Sequence, residues 1–317
     1  MCSLSINMQF RQSCLWRRFS CRILMTRTWI PKVNDAAIEP ALERPSANPT
    51  LEAAIADLLR EAADRFILPR FQNLQSQDIA TKTSDTDFVT VADQQAEAWL
   101  APKLSVLQPG FVIGEEAASL TPAIRDHIPQ GYGWTIDPLD GTKNFVKGKQ
   151  AFCSMVSLLW NGMPVQSWIW QPLTQVLFYA AEGQGAVCID KRGASSLRLK
   201  DRSDDIDLMF GSGNSLGLIE PQKSAFQARL RLLAGRRFTG SAGIQACLIA
   251  SGDEDFLIHG NSTPWDHAPV DLLCREAGGY AAMIRDKSRF HVAMKAPFMA
   301  VSSQAGWNRL RDAVWRD

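Results

Sequence analysis

Five short apolar runs lie between residues 111 and 181, and each is bounded by Gly, Pro or Asn, as β-strands joined by turns commonly are. They cover residues 111–113, 134–136, 154–160, 164–170 and 176–181. Apolar residues recur at helical spacing over 51–66, and a second helix is expected to begin at Asp93 and run through Leu100. Helices followed by a series of strands predict an α+β fold with a largely antiparallel sheet.

The chain after about residue 195 alternates strand-like and helix-like segments again. Helices are expected over 222–234 and 268–277, the second ending at Gly278 and Gly279. We predict three regions: an N-terminal extension over 1–48, an α+β half over 49–195 and a smaller α/β half over 196–317. The glycine cluster over 211–217 is expected to be a turn at a strand end, because its spacing does not fit a dinucleotide-binding fingerprint.

The first 34 residues are basic, with Arg and Lys side chains but no acidic residue before Asp35. Two explanations stay open. The segment has the Arg-rich, acid-poor composition of an organellar targeting peptide. It also fits a disordered or wrongly assigned extension, with the true start at Met25.

Composition excludes several classes of partner. The chain has 34 basic and 33 acidic residues, so no global field draws it to a nucleic acid polymer or an anionic membrane. Its seven cysteines include no C-x-x-C pair, which suits a reducing cytoplasm better than a disulfide framework. No window approaches the roughly 18 apolar residues of a membrane span. We expect a cytoplasmic protein that acts on a small molecule.

The segment Asp137-Pro-Leu-Asp-Gly-Thr142 carries the strongest chemical signal, because an apolar strand runs directly into two carboxylates. Proline restricts the backbone between them, so both carboxylates and the Leu139 carbonyl can converge on one point. Such oxygens are the hard ligands that Mg²⁺ prefers. Taken alone, an acidic turn of this kind is more often a solvated loop.

Further acidic groups stand at the ends of other predicted elements. Glu115 and Glu116 follow the strand at 111–113, and Asp266 lies at a helix start, where by itself it would be an ordinary N-cap. A fourth segment places three polar side chains ahead of a helix: Lys82, Asp87 and Asp93. Several carboxylate clusters at element ends favour a shared metal site.

Together these segments resemble the inositol monophosphatase family, whose motifs appear here in order as Gly114-Glu-Glu116, Asp137-Pro-Leu-Asp-Gly-Thr142, Trp265-Asp266 and Glu276-Ala-Gly-Gly279. The match covers roughly residues 50 to 285. The resemblance implies a five-layered α-β-α-β-α sandwich, generally a homodimer. It implies a Mg²⁺-dependent, lithium-sensitive hydrolase that cleaves a phosphate monoester of inositol or a related small polyol or sugar with metal-activated water.

The resemblance also implies a role for each matching residue. Two to three Mg²⁺ ions would be held by Glu115, Asp137, the Leu139 carbonyl, Asp140 and Asp266, with Asp137 bridging two of them. Thr142 and Asp93 would orient and deprotonate the attacking water, and the Gly141 and Thr142 amides would donate to the phosphate. Substrate contacts would come from Gly240, Ser241, Ala242 and the residue at position 259, and Lys82 and Asp87 would help shape the loop over the metals.

One position departs from the inositol-specific pattern. Family members of that kind carry a Glu seven residues before the Trp-Asp aspartate, and this chain has His259 there. A carboxylate accepts several hydroxyl protons, whereas a neutral imidazole accepts one. We therefore expect that inositol 1-phosphate is not the preferred substrate, unless His259 merely ends a strand.

Two other functions stay open at this point. The first is a 3′(2′),5′-bisphosphate nucleotidase, since Lys143 resembles that branch while Asn144 resembles the monophosphatase branch. The second is a non-catalytic binding or regulatory protein that keeps the fold.

Overall fold

The computed structural model describes residues 49–81, 88–199, 204–233 and 235–316. The predicted extension over 1–48 and the two loop residues Lys82 and Asp87 lie outside the described residues. The boundary predicted at 195/196 between two halves stays a prediction.

The larger sheet has seven strands, and a short two-stranded ribbon of β1 (Ile79–Thr81) and β2 (Phe88–Thr90) stands apart from it. The strand order of the seven-stranded sheet is β3-β4-β5-β6-β7-β8-β9. In it β3 and β4 are parallel and all other neighbouring pairs are antiparallel. All five strands predicted from the apolar runs belong to it. The strands are β3 (Phe111–Gly114), β4 (Tyr132–Asp140), β5 (Cys153–Trp160), β6 (Met163–Gln171), β7 (Val176–Ala181), β8 (Gly185–Asp190) and β9 (Gly193–Leu197).

The smaller sheet has five strands in the order β11-β10-β12-β14-β13, with β10 parallel to both of its neighbours. The turn predicted for the glycine cluster is wrong at its start, because Gly211 and Gly213 lie inside β10. A Cβ on Gly211 would stand 2.1 Å from the carbonyl oxygen of Phe256, so glycine permits the close strand contact. The strands are β10 (Phe210–Asn214), β11 (Gly235–Arg236), β12 (Phe256–His259), β13 (Tyr280–Met283) and β14 (Phe298–Val301).

Eight α-helices accompany the sheets in the described residues: α1 (Pro49–Ala62), α2 (Val91–Leu107), α3 (Glu115–Leu120), α4 (Thr142–Val146), α5 (Gln222–Leu230), α6 (Ala242–Ser251), α7 (Pro264–Glu276) and α8 (Gln304–Val314). A π-helical turn over Ala63–Ile67 continues α1. The helix expected from residue 268 begins four residues earlier, because Pro264 takes the first helical position, where proline loses no hydrogen bond. The helix expected over 222–234 ends at Leu230.

These elements form the five layers that were predicted. α1 and α2 pack on one face of the larger sheet, α6 and α7 fill the space between the sheets, and α5 and α8 cover the smaller sheet. Three apolar cores lie between the layers, and one of them spans the middle helices and both sheets. The core under α1 and α2 contains the buried indoles of Trp134 and Trp168. β6 is buried on both faces since helices flank both sides. Among the described residues, no helix is both long and apolar enough to cross a bilayer.

Candidate metal centre

The acidic segment is the bulged end of β4 and not a turn beyond the strand. Asp137 pairs with Met155 and Asp140 with Cys153, so three steps along β4 face two steps along β5. Residues three apart in a regular strand point to opposite faces, and one extra residue returns them to the same face. The bulge therefore brings Asp137 and Asp140 together at the strand end.

Three carboxylates meet at this point. Oxygen atoms of Asp137, Asp140 and Asp266 all lie within 4.8 Å of one another. Burial raises the pKa of Asp137 well above its usual value, and the neighbouring carboxylates of Glu115, Asp140, Asp266 and Asp93 raise it further. Burial and the charges of Asp140 and Glu115 raise the pKa of Asp266 to about 7.

The chemistry of this group fits a bound divalent cation. Buried carboxylates that repel one another are costly unless a cation neutralises them. All three donors are hard oxygen atoms, as Mg²⁺ prefers. The Asp137 Oδ1 atom accepts a hydrogen bond from the Leu139 amide at 3.0 Å, which fixes the carboxylate on its own bulge.

Asp140 is fixed by the first turn of α6. Its Oδ2 atom accepts hydrogen bonds from the Ser241 hydroxyl, from the Gly243 amide at 2.7 Å and from the Cys153 thiol at 3.4 Å. Its Oδ1 atom accepts from the Ala242 amide at 3.2 Å. Burial raises the pKa of Asp140, and these donors oppose only part of the rise by stabilising the carboxylate form.

Asp266 lies in the first turn of α7, but the N-cap expected there is wrong by three positions. Thr263 is the N-cap residue, and its hydroxyl donates to Asp266 Oδ2 at 2.7 Å. A carboxylate at the third helical position is also favoured by the helix dipole.

Glu115 stands at the edge of the group, where it is the first residue of α3. The first turn of α3 is held by Glu97, whose carboxylate accepts hydrogen bonds from the Glu116 amide at 2.8 Å and the Ala117 amide at 2.9 Å. A Cβ on Gly114 would stand 2.2 Å from that carboxylate, so only glycine allows the contact. Sequence reasoning missed Glu97, which lies on the buried face of α2 and gives no local signal.

The expected pair of Thr142 and Asp93 lies in contact. Thr142 Oγ1 is 3.1 Å from Asp93 Oδ1 and 3.0 Å from the Leu139 carbonyl oxygen, so its single proton has two possible acceptors. Asp93 Oδ2 accepts from the Thr90 amide at 2.8 Å and from the Thr90 hydroxyl. Thr90 is the N-cap of α2, so the cap expected at Asp93 is the other half of a capping box.

Gly141 connects the bulge to α4 with a left-handed backbone, at φ +91°. A Cβ at this position would stand 2.8 Å from the Ala151 carbonyl oxygen. Glycine is required here for both reasons.

The predicted substrate segment 240–242 lies against the same centre. The Ser241 hydroxyl gives its proton to Asp140 and accepts from the Ile244 amide at 3.1 Å, so it caps α6. Asn144 joins the segment to α4, since its Nδ2 donates to the carbonyls of Ala151 at 2.7 Å and Thr239 at 2.8 Å. The Asn144 side chain is buried. From the sequence alone, Asn144 is only a residue typical of the monophosphatase branch, and its structural role is not visible.

A cavity of about 160 Å³ opens beside the carboxylates and is lined by Asp140, Ser212, Asn214, Phe238, His259 and Asp266, among others. Pockets for drug-sized ligands measure roughly 300 to 1,000 Å³, so this one suits a small molecule or one end of a larger one. The His259 Nδ1 and His267 Nε2 atoms are 3.0 Å apart. Burial lowers the pKa of His259 to about 4, so the ring is neutral.

Comparison with known proteins identifies the family. The model of the inositol monophosphatase family matches residues 48–313. The inositol-1-monophosphatase SuhB of Mycobacterium tuberculosis is 30% identical over 252 residues, which are 75% of this chain and 85% of that protein. The chain belongs to the inositol monophosphatase family. It is a phosphoric monoester hydrolase.

One further relative and one solved structure are similar to this chain. The Nus factor SuhB of Xylella fastidiosa is 29% identical over 243 residues, covering 75% of this chain and 82% of that protein. A solved IMPase/NADP phosphatase structure complexed with Mg²⁺ and phosphate superposes with a TM-score of 0.69 at 21% identity, covering 84% of this chain and 96% of that one. At that identity the superposition supports the fold.

The last family motif has a structural role at a distance from the carboxylates. Glu276, at the end of α7, accepts from the Gly183 amide and the Gly185 amide at 2.9 Å each, which holds the hairpin between β7 and β8. A Cβ on Gly279 would stand 2.6 Å from the Val301 carbonyl oxygen. The motif therefore fixes α7, and with it Asp266, between the two sheets.

Proposed function

We propose that this chain hydrolyses the phosphate monoester of inositol or a related small polyol or sugar, using two to three Mg²⁺ ions. The group of Asp137, Asp140 and Asp266 carries the proposal: their oxygen atoms lie within 4.8 Å of one another, with Asp137 and Asp140 buried and Asp266 partly buried. Glu115 and the Leu139 carbonyl would complete the ligand set, and Asp137 would serve more than one ion. When bound, Mg²⁺ supplies a Lewis acid that activates water near neutral pH and offsets charge on the phosphoryl oxygens.

The chain's own residues do the remaining work. The Thr142 hydroxyl donates a hydrogen bond to Asp93, 3.1 Å away, which leaves its lone pairs to orient the attacking water. As Thr142 Oγ1 takes a proton from that water, its own proton passes to the Asp93 carboxylate. The Gly141 and Thr142 amides lie at the start of α4 and donate to the phosphate. The segment 240–242 and His259 contact the organic part of the substrate, while Lys82 and Asp87 are proposed to shape the loop above it.

The test is release of inorganic phosphate from p-nitrophenyl phosphate and a panel of phosphate esters, with Mg²⁺ and with excess chelator. Asp137→Asn removes the shared anion and is expected to lower kcat on the order of a thousandfold or more. Asp57→Asn, on the exposed face of α1 beside Arg60, is the matched control and should behave as the parent protein. Full activity in chelator would contradict the metal requirement.

A 3′(2′),5′-bisphosphate nucleotidase is the second candidate. Phe238 lines the cavity and is 72% exposed, so its ring offers a face on which a base can stack. Adenosine 3′,5′-bisphosphate in the same panel separates the candidates. A non-catalytic role is separated by the same assay, since it predicts no phosphate release at all.

Three further properties belong to this proposal by resemblance to the family. Millimolar Li⁺ should inhibit turnover by occupying one of the cation sites. The protein should run as a homodimer when size-exclusion chromatography is combined with light scattering. A cytoplasmic location is proposed because the net charge is close to zero and the seven cysteines include no C-x-x-C pair.

A further inference from the structure

Two polar side chains of β10 line the cavity and do not belong to the proposed metal ligands. They are Ser212 and Asn214. Residues two apart on a strand project from the same face of a sheet, so both side chains reach the cavity from one side. Asn214 is also the register partner of His259 on the parallel strand β12, and His259 lines the cavity as well. Ser212 and Asn214 together form what we call the β10 wall.

The orientation of the Asn214 carboxamide follows from one hydrogen bond. Its Oδ1 atom lies 3.0 Å from the Leu216 amide nitrogen. A backbone amide can only donate, so the atom that faces it is the carbonyl oxygen and the other is the NH2 group. Among the described residues Nδ2 has no hydrogen-bond partner, and it is not one of their buried unpartnered atoms. Asn214 therefore keeps its N–H donors for a ligand.

The Ser212 hydroxyl complements these donors. Ser212 is only 5% exposed, yet its Oγ atom has no partner in the described part of the chain and is not fully enclosed. A serine hydroxyl can accept a hydrogen bond as well as donate one. A substrate hydroxyl at the β10 wall can therefore accept from Asn214 Nδ2 and donate its own proton to Ser212 Oγ.

The β10 wall carries no charge. The cavity is lined by two carboxylates, those of Asp140 and Asp266, and both are proposed metal ligands. The other lining residues are uncharged, since burial lowers the pKa of His259 to about 4 and keeps its ring neutral. An ammonium group placed at the wall would lose its hydration and find no free anion to pair with. A hydroxyl group avoids that cost.

We propose that Asn214 is a specificity-determining residue that, together with Ser212, hydrogen-bonds a hydroxyl group of the substrate's organic part and disfavours esters that carry an ammonium group there. The inference rests on the proposed phosphatase activity and names the group that the substrate presents to β10. Asn214 belongs to the glycine cluster for which the sequence predicted a turn, so no motif marks it.

The test uses two series of phosphate esters whose members differ only in the terminal group. One series is ethyl, 2-hydroxyethyl and 2-aminoethyl phosphate, and the other is propyl, 3-hydroxypropyl and 3-aminopropyl phosphate. The two chain lengths sample the distance from the metal centre to the β10 wall, and both amines are protonated at pH 7, as lysine is. Each ester is measured with Mg²⁺ as a substrate and as a competitor of p-nitrophenyl phosphate. The readout is the ratio of kcat/KM, or of inhibition constants, within a series.

The parent protein should favour the hydroxyl ester over the other two members of at least one series by about tenfold, the effect of one good hydrogen bond. Asn214→Asp keeps the size of the side chain and the acceptor for the Leu216 amide, but replaces the donors with a charged oxygen. It should raise the amine-to-hydroxyl ratio by about tenfold or more, because an ammonium–carboxylate hydrogen bond is charge-assisted. Differences in the intrinsic reactivity of the esters cancel when the ratio of the variant is divided by that of the parent.

Asn161→Asp is the matched control. The Asn161 Oδ1 atom likewise accepts from a backbone amide, that of Gly131 at 2.7 Å, but Asn161 is exposed and does not line the cavity. This variant should leave every ratio unchanged. Ser212→Ala removes the second contact of the substrate hydroxyl, so it should weaken the preference for the hydroxyl ester over the alkyl ester without favouring the amine.

Four outcomes are decisive. The same amine-to-hydroxyl ratio in the parent protein and in Asn214→Asp would overturn the inference and leave the phosphatase proposal intact. So would a parent protein that shows no preference for the hydroxyl ester in either series. If Asn214→Asp does not fold, Asn214→Ala answers the question, since it should lose the preference for the hydroxyl ester over the alkyl ester; a retained preference also overturns the inference. Absence of Mg²⁺-dependent hydrolysis of p-nitrophenyl phosphate by the parent protein would overturn the proposed function and the inference that rests on it.

Discussion

At Gly141, both the backbone conformation and the close packing of neighbouring atoms require glycine. Gly141→Ala places a methyl group at φ +91° and 2.8 Å from the Ala151 carbonyl oxygen. The left-handed conformation alone costs about 1 to 2 kcal/mol for an alanine. The contact adds to that cost and displaces the Thr142 amide, so both the free energy of unfolding and kcat should fall.

The control for this substitution is Gly131→Ala, at a residue with nearly the same φ, +90°, but with nothing within 4 Å of the added Cβ. Gly131→Ala should lower the free energy of unfolding only by the cost of the left-handed conformation, and its kcat should stay that of the parent protein. Urea unfolding and phosphate release on both variants check the prediction. Equal losses of activity in the two would show that Gly141 matters only through its backbone angle.

The pKa of Asp266 predicts how pH governs cation binding. In the metal-free protein this pKa is raised to about 7, above its ordinary value of 3.8. The folded state therefore retains a proton that the unfolded chain releases, so the stabilising contribution is complete below the ordinary value and is lost as pH rises toward 7. Mg²⁺ binds the ionised ligands, so the Mg²⁺-induced rise in Tm should be larger at pH 8 than at pH 6.

Calorimetric scans with and without Mg²⁺ at the two pH values measure this difference. Asp266→Asn removes the titrating group, and its metal-free Tm should vary less between pH 4 and 7 than that of the parent protein. An Mg²⁺ effect on Tm that does not change with pH would contradict the prediction.

The sequence predicted that Asp137, Asp140 and Asp266 would meet at one candidate metal centre, but it did not reveal the residues that support them. Asp137 and Asp140 stand in one short motif, so spacing alone drew attention to them. Glu97 and His267 reach the site from a helix face and from a helix start, and nothing in their local sequence marks the contact. Their roles depend on tertiary approach, as the Glu97 carboxylate shows by accepting amide protons 19 and 20 residues away.

At the scale of elements, α3 depends on a carboxylate from α2 for its first turn. Glu97→Gln keeps the size of the side chain but turns one acceptor oxygen into a donor that faces the Glu116 and Ala117 amides. The cost should be about 1 to 2 kcal/mol, as for other lost helix caps. Because α3 begins at Glu115, the variant should also bind Mg²⁺ more weakly, by about tenfold.

Glu61→Gln is the control for this change, since Glu61 lies on α1 in an exposed ion pair with Arg65. Exposed pairs contribute little, so the effect should stay within about 0.5 kcal/mol. Urea unfolding gives the stability term, and titration of Tm with Mg²⁺ gives the affinity. A Glu97→Gln protein with the stability and Mg²⁺ response of the parent would show that α3 is held by other contacts.

Element types were easier to predict than element ends. Five of the seven strands of the larger sheet were predicted from apolar runs, and β5 and β6 are the clearest because they are buried on both faces. β8 and β9 were missed, since they are mostly unburied and form no apolar run. The bulge in β4 was not visible, since it depends on pairing with β5. Helix starts at Val91 and Pro264 were missed because the caps, Thr90 and Thr263, precede the carboxylates that drew the attention.

At the scale of the whole molecule, the residues of the proposed site come from both sheets and from the helices between them. β4 contributes Asp137 and Asp140, α7 contributes Asp266, and β12 contributes His259. The site is thus assembled by tertiary packing. Because Asp266 on α7 belongs both to the carboxylate cluster and to the cavity lining, a change in the packing of α7 alters the two together. This explains why Glu276, remote from the carboxylates, belongs to a family motif.

The last prediction concerns the basic segment at the N-terminus. Deleting residues 1 to 34 should leave Mg²⁺-dependent activity within about twofold of the parent and Tm within about 2 °C, because the segment precedes every family motif and terminal segments commonly tolerate truncation. The first described helix begins at Pro49, and every proposed site residue comes after it.

Deleting residues 1 to 60 is the contrast, since it removes Leu51, Ile55 and Leu59 from the core beside Trp134 and Trp168. Each large apolar side chain lost from a core costs about 2 to 5 kcal/mol, and three approach the whole stability of a domain. The longer deletion should therefore not fold, as judged by loss of a cooperative thermal transition. A shorter deletion that also fails to fold, or that loses activity while keeping its Tm, would show that residues 1 to 34 take part in the catalytic domain.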